Sequence, residues 1–324
     1  MVNKLLDILM SDIMAMFNAI SQGLAWAILA MGVYITFRIL NFADMSCEGT
    51  FALGGSLSAM LMVRHGWNPF ISMYIAIFAG MLAGLITGIL HTKLKIPAIL
   101  SGILTMISLY SINLVIMGQS NTALIGQETI VSKIQAFFPS AQELGIKNST
   151  LQTWVTILIG LVFTVIAVFI LYWFFGTEIG SCIRATGNNG AMVRAQGVNT
   201  DTMIILGLVL SNGLISFSGA LVTQTQGYAD INMGVGAIVI ALASIVIGEV
   251  VFQKFKHFGV ILVSLVIGSI LYRIIVAWVL QRGLNTNYLK LLTAIIVTIA
   301  LSVPRLKKNK VKGRKGAINN VTNK

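Results

Sequence analysis

At 324 residues, with 56% apolar and only 10% charged residues, the chain departs from soluble domains, in which about a quarter of residues carry charge. That balance excludes an ordinary soluble fold and points to an all-α polytopic membrane protein. The formal net charge of +12 does not indicate a nucleic-acid partner, because eight of the 22 basic residues are concentrated in Arg305–Lys324, where they serve as a topology signal and a contact for anionic membrane lipid.

Residues 1–16 read as an amphipathic segment lying at the membrane surface. Asp7 and Asp12 interrupt the first apolar stretch and no small-residue cleavage site follows, so no cleavable signal peptide is expected. The transmembrane region is 17–303. About 20 apolar residues are needed for each crossing. Nine runs, in a range of 8–10, meet that need: 17–39, 46–63, 69–90, 97–117, 151–175, 203–224, 233–252, 258–280 and 288–303. The second is short and is preceded by charged residues. The basic tail, 304–324, places the C-terminus in the cytoplasm, so nine spans put the N-terminus outside. By alternation, His91–Ile96, the polar stretch after the fifth span and Gln253–His257 are cytoplasmic, and the 33-residue loop Gly118–Thr150 is outside.

The first chemically unusual segment is Arg38–Gly55, RILNFADMSCEGTFALGG, in which Asp44 and Glu48 lie four residues apart on one helix face. Acids at membrane depth are expensive and mark a functional or structurally special site. Asp44 and Ser46 fit equally as caps of the second span, with Glu48 in its first turn. Both readings stay open. Gly80, Gly84 and Gly88 repeat at four-residue spacing in GMLAGLITG, and the sixth span carries Gly207, Ser211, Gly213, Ser216, Ser218 and Gly219. Such small residues allow helix backbones to approach closely and imply no substrate. Asn212, in the middle of that span, must find a hydrogen-bond partner or face water.

Between the fifth and sixth spans, within a loop of 176–202, lies TEIGSCIRATGNNGAMVRAQGVN, Thr177–Asn199. It reads as two short helical pieces around a Gly-Asn-Asn-Gly turn. Asn189 stands where an N-cap belongs and Gly197 where a C′ glycine belongs, and Thr200 or Asp201 is placed to cap the next span. A capped helix in a polar loop of a membrane protein is a surface presented to a partner.

Phe42–Met45, FADM, recurs as YADI at Tyr228–Ile231, each after a long span and before a glycine-containing one. In this topology the two copies follow spans of opposite direction, the relation expected of inverted repeats built around broken helices. Thr223, Gln224, Thr225, Gln226, Tyr228, Asp230 and Asn232 make the second copy unusually polar, as an entrance or as an outer loop. Arg273 lies in the outer third of the eighth span and is expected to snorkel, to pair with Asp230 or to meet an anionic substrate group. Glu249 reads as an interfacial acid near Lys254.

His65, His91 and His257 do not cluster, and Cys47 and Cys182 suit neither a disulfide nor a metal site. No cofactor or metal is expected. No catalytic motif is found, and without a phosphate-binding G-x-x-x-x-G-K-[ST] loop the chain is not expected to hydrolyse nucleotide itself.

The run GLAWAILAMGVYITFRILNFADMSCEGTFALGGS, together with Thr177, Gly180, Arg184, Ala185, Gly197, Asn199, Thr200 and Asp201, resembles permease subunits of ABC importers of the branched-chain amino acid and ribose type. The likeness runs in order from about residue 20 to residue 303. Further stretches, among them GYADINMGVGAIVIALASIVIGEV and LNTNYLKLLTAIIV, are most similar to the tryptophan or tyrosine transport permease subgroup. Where many branched-chain permeases carry histidine after N-F-A, this chain has Asp44, which weakens transfer of branched-chain specificity.

The resemblance implies a bacterial plasma-membrane complex with the fold of a type II importer. Its parts would be two permease copies, two ABC ATPase subunits and an extracellular or periplasmic substrate-binding protein. It also implies that Arg184, Gly187, Asn188, Asn189, Gly190, Ala191, Met192, Arg194, Ala195 and Gly197 form the ATPase-coupling element. Of these, Ala191, Met192 and Ala195 are expected to meet the partner, while Arg184 and Arg194 suit acids on the ATPase or membrane phosphates. Candidate path residues are Asn41, Asp44, Glu48, Asn212, Gln226, Tyr228 and Asp230. The favoured cargo is an aromatic amino acid. Two alternatives stand beside this reading: an ion-coupled secondary transporter using Asp44, Glu48, Asp230 or Glu249, and a membrane scaffold without transport.

Overall fold

The computed structural model describes residues 2–139, 141–143, 145, 147–252, 257–282, 288, 291, 293–295 and 298, with side chains from Asp12 onward. Among these residues the protein is a helical bundle with a single two-stranded ladder. The elements are α1 (Val2–Tyr34), α2 (Cys47–His65), α3 (Pro69–Thr92), α4 (Ala98–Met117), β1 (Asn121–Ala123), α5 (Ile130–Gln135) and α6 (Asn148–Gly176). They continue with α7 (Glu178–Ala195), α8 (Thr200–Gln226), β2 (Tyr228–Asp230), α9 (Ala237–Val251) and α10 (Phe258–Gln281).

Seven of the described helices are long and apolar enough to cross a membrane, counting the π turn after α1 and the 3₁₀ turn before α9 with their helices. α2 is not among them. The turn leading into it, Asp44–Ser46, lies beside Gly102 near the start of α4, and Arg64 near its end donates to the Met117 carbonyl at the end of α4. Nineteen residues at 1.5 Å each give about 28 Å, close to the hydrocarbon thickness. α2 is poor in large apolar residues because it does not need them. It is enclosed by α3, α4 and α8, and most of its residues are buried. Each of the eight runs expected at 17–280 coincides with a helix, seven of which have the length and apolarity of a span, while the ninth, 288–303, and the tail, 304–324, lie largely or wholly outside the described residues. The segment 1–16 continues into the first span as one helix from Val2.

Glycine sets the packing. A β-carbon on Gly80 or Gly84 of α3 would strike the carbonyls of Asn212 or Leu208 in α8, and one on Gly54 of α2 would strike the Ser216 carbonyl. Gly219 of α8 stands in the same way against Phe51 of α2. The glycine and serine positions of α3 and α8 thus do what their spacing predicts: they bring backbones into contact without side chains between them. α8 is gripped from both sides, by α2 and by α3.

Contacts at the helix ends define two faces. At one, β1 pairs antiparallel with β2 in the register Asn121↔Asp230, and Ile130 N–H donates to the buried Gln224 side chain. At the other, the ends of α1, α6 and α9 and the starts of α8 and α10 gather around α7.

Candidate functional site

The α7 face is built around a bent helix. α7 is regular except at Asn189, whose backbone leaves the helix (φ −153°, ψ 85°) and whose Oδ1 accepts the Met192 N–H at 3.1 Å. Asn189 thus acts as an internal N-cap, and the segment is two helical pieces joined at Gly187–Gly190, as its sequence predicts. The second piece ends at Gly197 (φ +84°), with Val198 N–H donating to the Val193 carbonyl at 3.3 Å. That is the left-handed glycine termination expected there. The next cap is displaced by one residue from expectation. Asn199, not Thr200 or Asp201, accepts from the N–H groups of Asp201 and Thr202. Thr200 instead accepts from the Arg194 guanidinium at 3.1 Å.

The second piece shows one buried residue, Val193, and exposes Ala191, Met192, Arg194 and Ala195. The first piece is anchored by the fully buried Ile183. Between them Gly187 rests on the end of α1: a β-carbon there would strike the Ile39 carbonyl oxygen. The α1 end is itself unusual. Ile35–Ile39 widens into a π turn, and Asn41 stops the chain with φ +53°, a left-handed conformation that Asn tolerates better than most residues. The broken helix end leaves backbone exposed for another segment, and the glycine fills the space.

Beyond Asn41 the chain turns into α2 through Asp44. Asp44 is fully buried. Its Oδ1 accepts from Ser46 N–H at 2.8 Å and Ser46 O–H at 2.6 Å, and its Oδ2 accepts from the Asn212 amide at 2.9 Å. Asn212 also donates to the Leu208 carbonyl at 3.1 Å. The mid-span amide has therefore found its partner in the mid-membrane acid, and both candidate path residues are engaged with each other. Glu48 sits in the first turn of α2 while its Oε1 accepts from Gly236 N–H, at the start of α9, at 2.9 Å. One carboxylate thus lies against the positive ends of two helices.

A cleft of about 1040 Å³ opens at this face. Tyr34, Arg38 and Asn41 line it from α1 and the turn after it, Trp173 from α6, Arg184 and Asn188 from α7, and His257 and Phe258 from the start of α10. Arg38 forms an ion pair with Glu249 at the end of α9. The expected neighbour of Glu249, Lys254, lies outside the described residues. Neither Arg38 nor its pairing was legible beforehand, since the two residues are 211 positions apart.

At the opposite face Gln226 and Tyr228 are exposed and Asp230 is half-buried. Asp230 accepts from Asn232 N–H at 2.7 Å and from the Asn121 amide at 3.3 Å. Arg273 does not pair with it. The Arg273 guanidinium lies 4.2 Å from the centre of the Trp26 ring and donates to Gln22 at 3.1 Å, so an α1 aromatic and amide take the place expected for the acid.

Residues 15–301 match the family described as branched-chain amino acid transport system / permease component. The chain is similar to the tyrosine transport system permease protein of Clostridioides difficile (strain R20291), with 36% identity over 289 residues covering 89% of this chain and 91% of that one. It is 31% identical to uncharacterized protein RP368 of Rickettsia prowazekii (strain Madrid E), covering 89% of this chain and 96% of that protein. It is 24% identical to the ribose import permease protein RbsC of Escherichia coli (strain K12), covering 90% of this chain and 86% of RbsC. No solved structure matches. With a bundle of apolar helices, a capped and exposed loop helix, and a match over nearly its whole length, the chain belongs to the branched-chain amino acid transport system / permease component family.

Proposed function

We propose that the chain is the membrane-spanning subunit of an ATP-driven ABC importer in a bacterial plasma membrane. Two copies would form the path, a separate ATPase would dock at the α7 face in the cytoplasm, and a binding protein would deliver the cargo to the opposite face. The observation that carries this reading is the second piece of α7: it is short, capped at both ends and exposed over Ala191, Met192, Arg194 and Ala195, and its root, Gly187, stands on the broken end of α1. Force applied to the helix from outside the bundle reaches α1 through a backbone contact. Asn188, Asn189, Gly190 and Gly197 set its angle, and Arg184 faces the adjoining cleft.

An amino acid is the proposed cargo, with tyrosine or another aromatic favoured by the likeness to the clostridial permease. Asn41 lines the cleft on the α7 side, and Gln226, Tyr228 and Asp230 form the opposite mouth. Asp44, Asn212 and Glu48 hold the broken helices between them. The ion-coupled alternative is less well supported, because its four candidate acids are already engaged: Asp44 with Ser46 and Asn212, Glu48 with Gly236, Asp230 with Asn121, and Glu249 with Arg38.

The test is to assemble the chain with its ATPase and binding protein in vesicles and to compare wild type with Ala191→Glu and Ala195→Glu. Cargo-stimulated ATP hydrolysis should fall about tenfold or more, the effect of about 1.4 kcal/mol lost at a docking contact. Unchanged stimulation in both variants would refute the coupling role. Uptake without any ATPase would favour the ion-coupled reading.

A further inference from the structure

We propose that the cleft at the α7 face holds the phosphate headgroup of an anionic phospholipid. Its volume, about 1040 Å³, is ample for a headgroup and the first part of its glycerol. Two guanidiniums line it, Arg38 and Arg184. Arg38 is balanced by Glu249. Arg184 has no acidic partner among the described residues; it donates weakly to Ser181 at 3.5 Å and lies 5.6 Å from the centre of the Phe258 ring. A guanidinium resting on an aromatic face with donors to spare is suited to a phosphate oxygen. Among the described lining residues one positive charge, that of Arg184, is unopposed, which suits a monoanionic phosphodiester.

The depth of the cleft selects a lipid over a dissolved anion. Its lateral wall carries Tyr172 and Trp173, 58% and 67% exposed, in the last turns of α6 just before the chain becomes polar. Trp and Tyr collect at the membrane–water boundary, so this wall opens at headgroup level. Basic pockets between spans at that level are sites for anionic headgroups. The lipid would touch Arg184 on the first piece of α7 and Arg38 on the π turn, on either side of the Gly187 contact. This inference concerns binding by the chain alone and does not depend on the import reading.

The full-length chain in detergent is titrated with phosphatidylglycerol or phosphatidylcholine brominated in the acyl chain near the headgroup, and tryptophan quenching is read. Phosphatidylglycerol should quench at about tenfold lower concentration. Trp173→Phe should remove that selective part of the quenching, Arg184→Gln should bring the two lipids together, and Arg184→Lys should retain part of the preference. Because the basic tail also attracts anionic lipid, the titration is repeated on a chain ending at Pro304, which should keep the preference. Equal quenching by the two lipids, a preference unchanged by Arg184→Gln, or a preference lost with the tail would each overturn the proposal. So would protection by excess inorganic phosphate equal to that given by unbrominated phosphatidylglycerol, which would assign the cleft to a free anion.

Discussion

The segments FADM and YADI make the same local turn in opposite surroundings. In each the aspartate accepts the N–H two residues ahead, Ser46 for Asp44 and Asn232 for Asp230, and in each a helix follows. Asp44 is sealed inside the bundle and bound to Asn212, whereas Asp230 lies half-buried at a face and accepts from the exposed Asn121 amide. The shared Ala-Asp pair, flanked by an aromatic and an apolar residue in each copy, therefore accompanies the same turn, and the surroundings decide whether it is a surface fold or a pin through the core. An unsatisfied polar group costs far more inside than outside.

The contrast is sharpest in Asp44→Ala. The variant removes the acceptor for two Ser46 donors and one Asn212 donor, so a loss of about 2–3 kcal/mol in unfolding free energy is expected in mixed micelles. Asn212→Ala should cost less, about 1–2 kcal/mol, because Asp44 keeps both Ser46 bonds and interhelical polar contacts in membranes are modest. Combining the two should give about 1 kcal/mol less than the sum. Asp230→Ala should cost no more than about 0.5 kcal/mol and should add simply to Asp44→Ala. Equal losses for Asp44→Ala and Asp230→Ala would show that burial does not separate the two turns. Strict additivity of Asp44→Ala and Asn212→Ala would show that their contact contributes nothing.

Much of the fold was legible because crossing a membrane demands long apolar runs, and a helix lies at eight of the nine expected runs. The polar loop was legible for a different reason: caps are local, so Asn189 and Gly197 could be read from neighbours in the chain. The error at its end is also local, since Asn199, Thr200 and Asp201 are all competent caps and only the backbone chooses among them. Partners were not legible. That Asn212 needs one follows from its depth, but that it is Asp44, 168 residues earlier, does not. Arg273 gave the same uncertainty: of its expected outcomes the pairing with Asp230 is not the one found, because Gln22 and Trp26 lie on a helix whose position beside α10 no spacing reveals. Gly187 was recognised as a turn residue, while its contact with Ile39 was not, since a carbonyl oxygen has no letter in the sequence.

The ladder between β1 and β2 is small, yet it ties residue 121 to residue 230 across α5, α6, α7 and α8. Leu124 and Ile231 extend it with bonds to Gly227 and Ser120. At that end the two halves of the chain are stitched, and parting them would break a row of backbone bonds worth about 1 kcal/mol each. At the α7 end the charged ties among the described residues are two ion pairs, Arg38 with Glu249 and Lys95 with Asp201, partly open to solvent and of the kind that contributes about 1 kcal/mol or less each. The bundle is therefore bound like a book, with its spine at the ladder, and its pages part most cheaply beside α7.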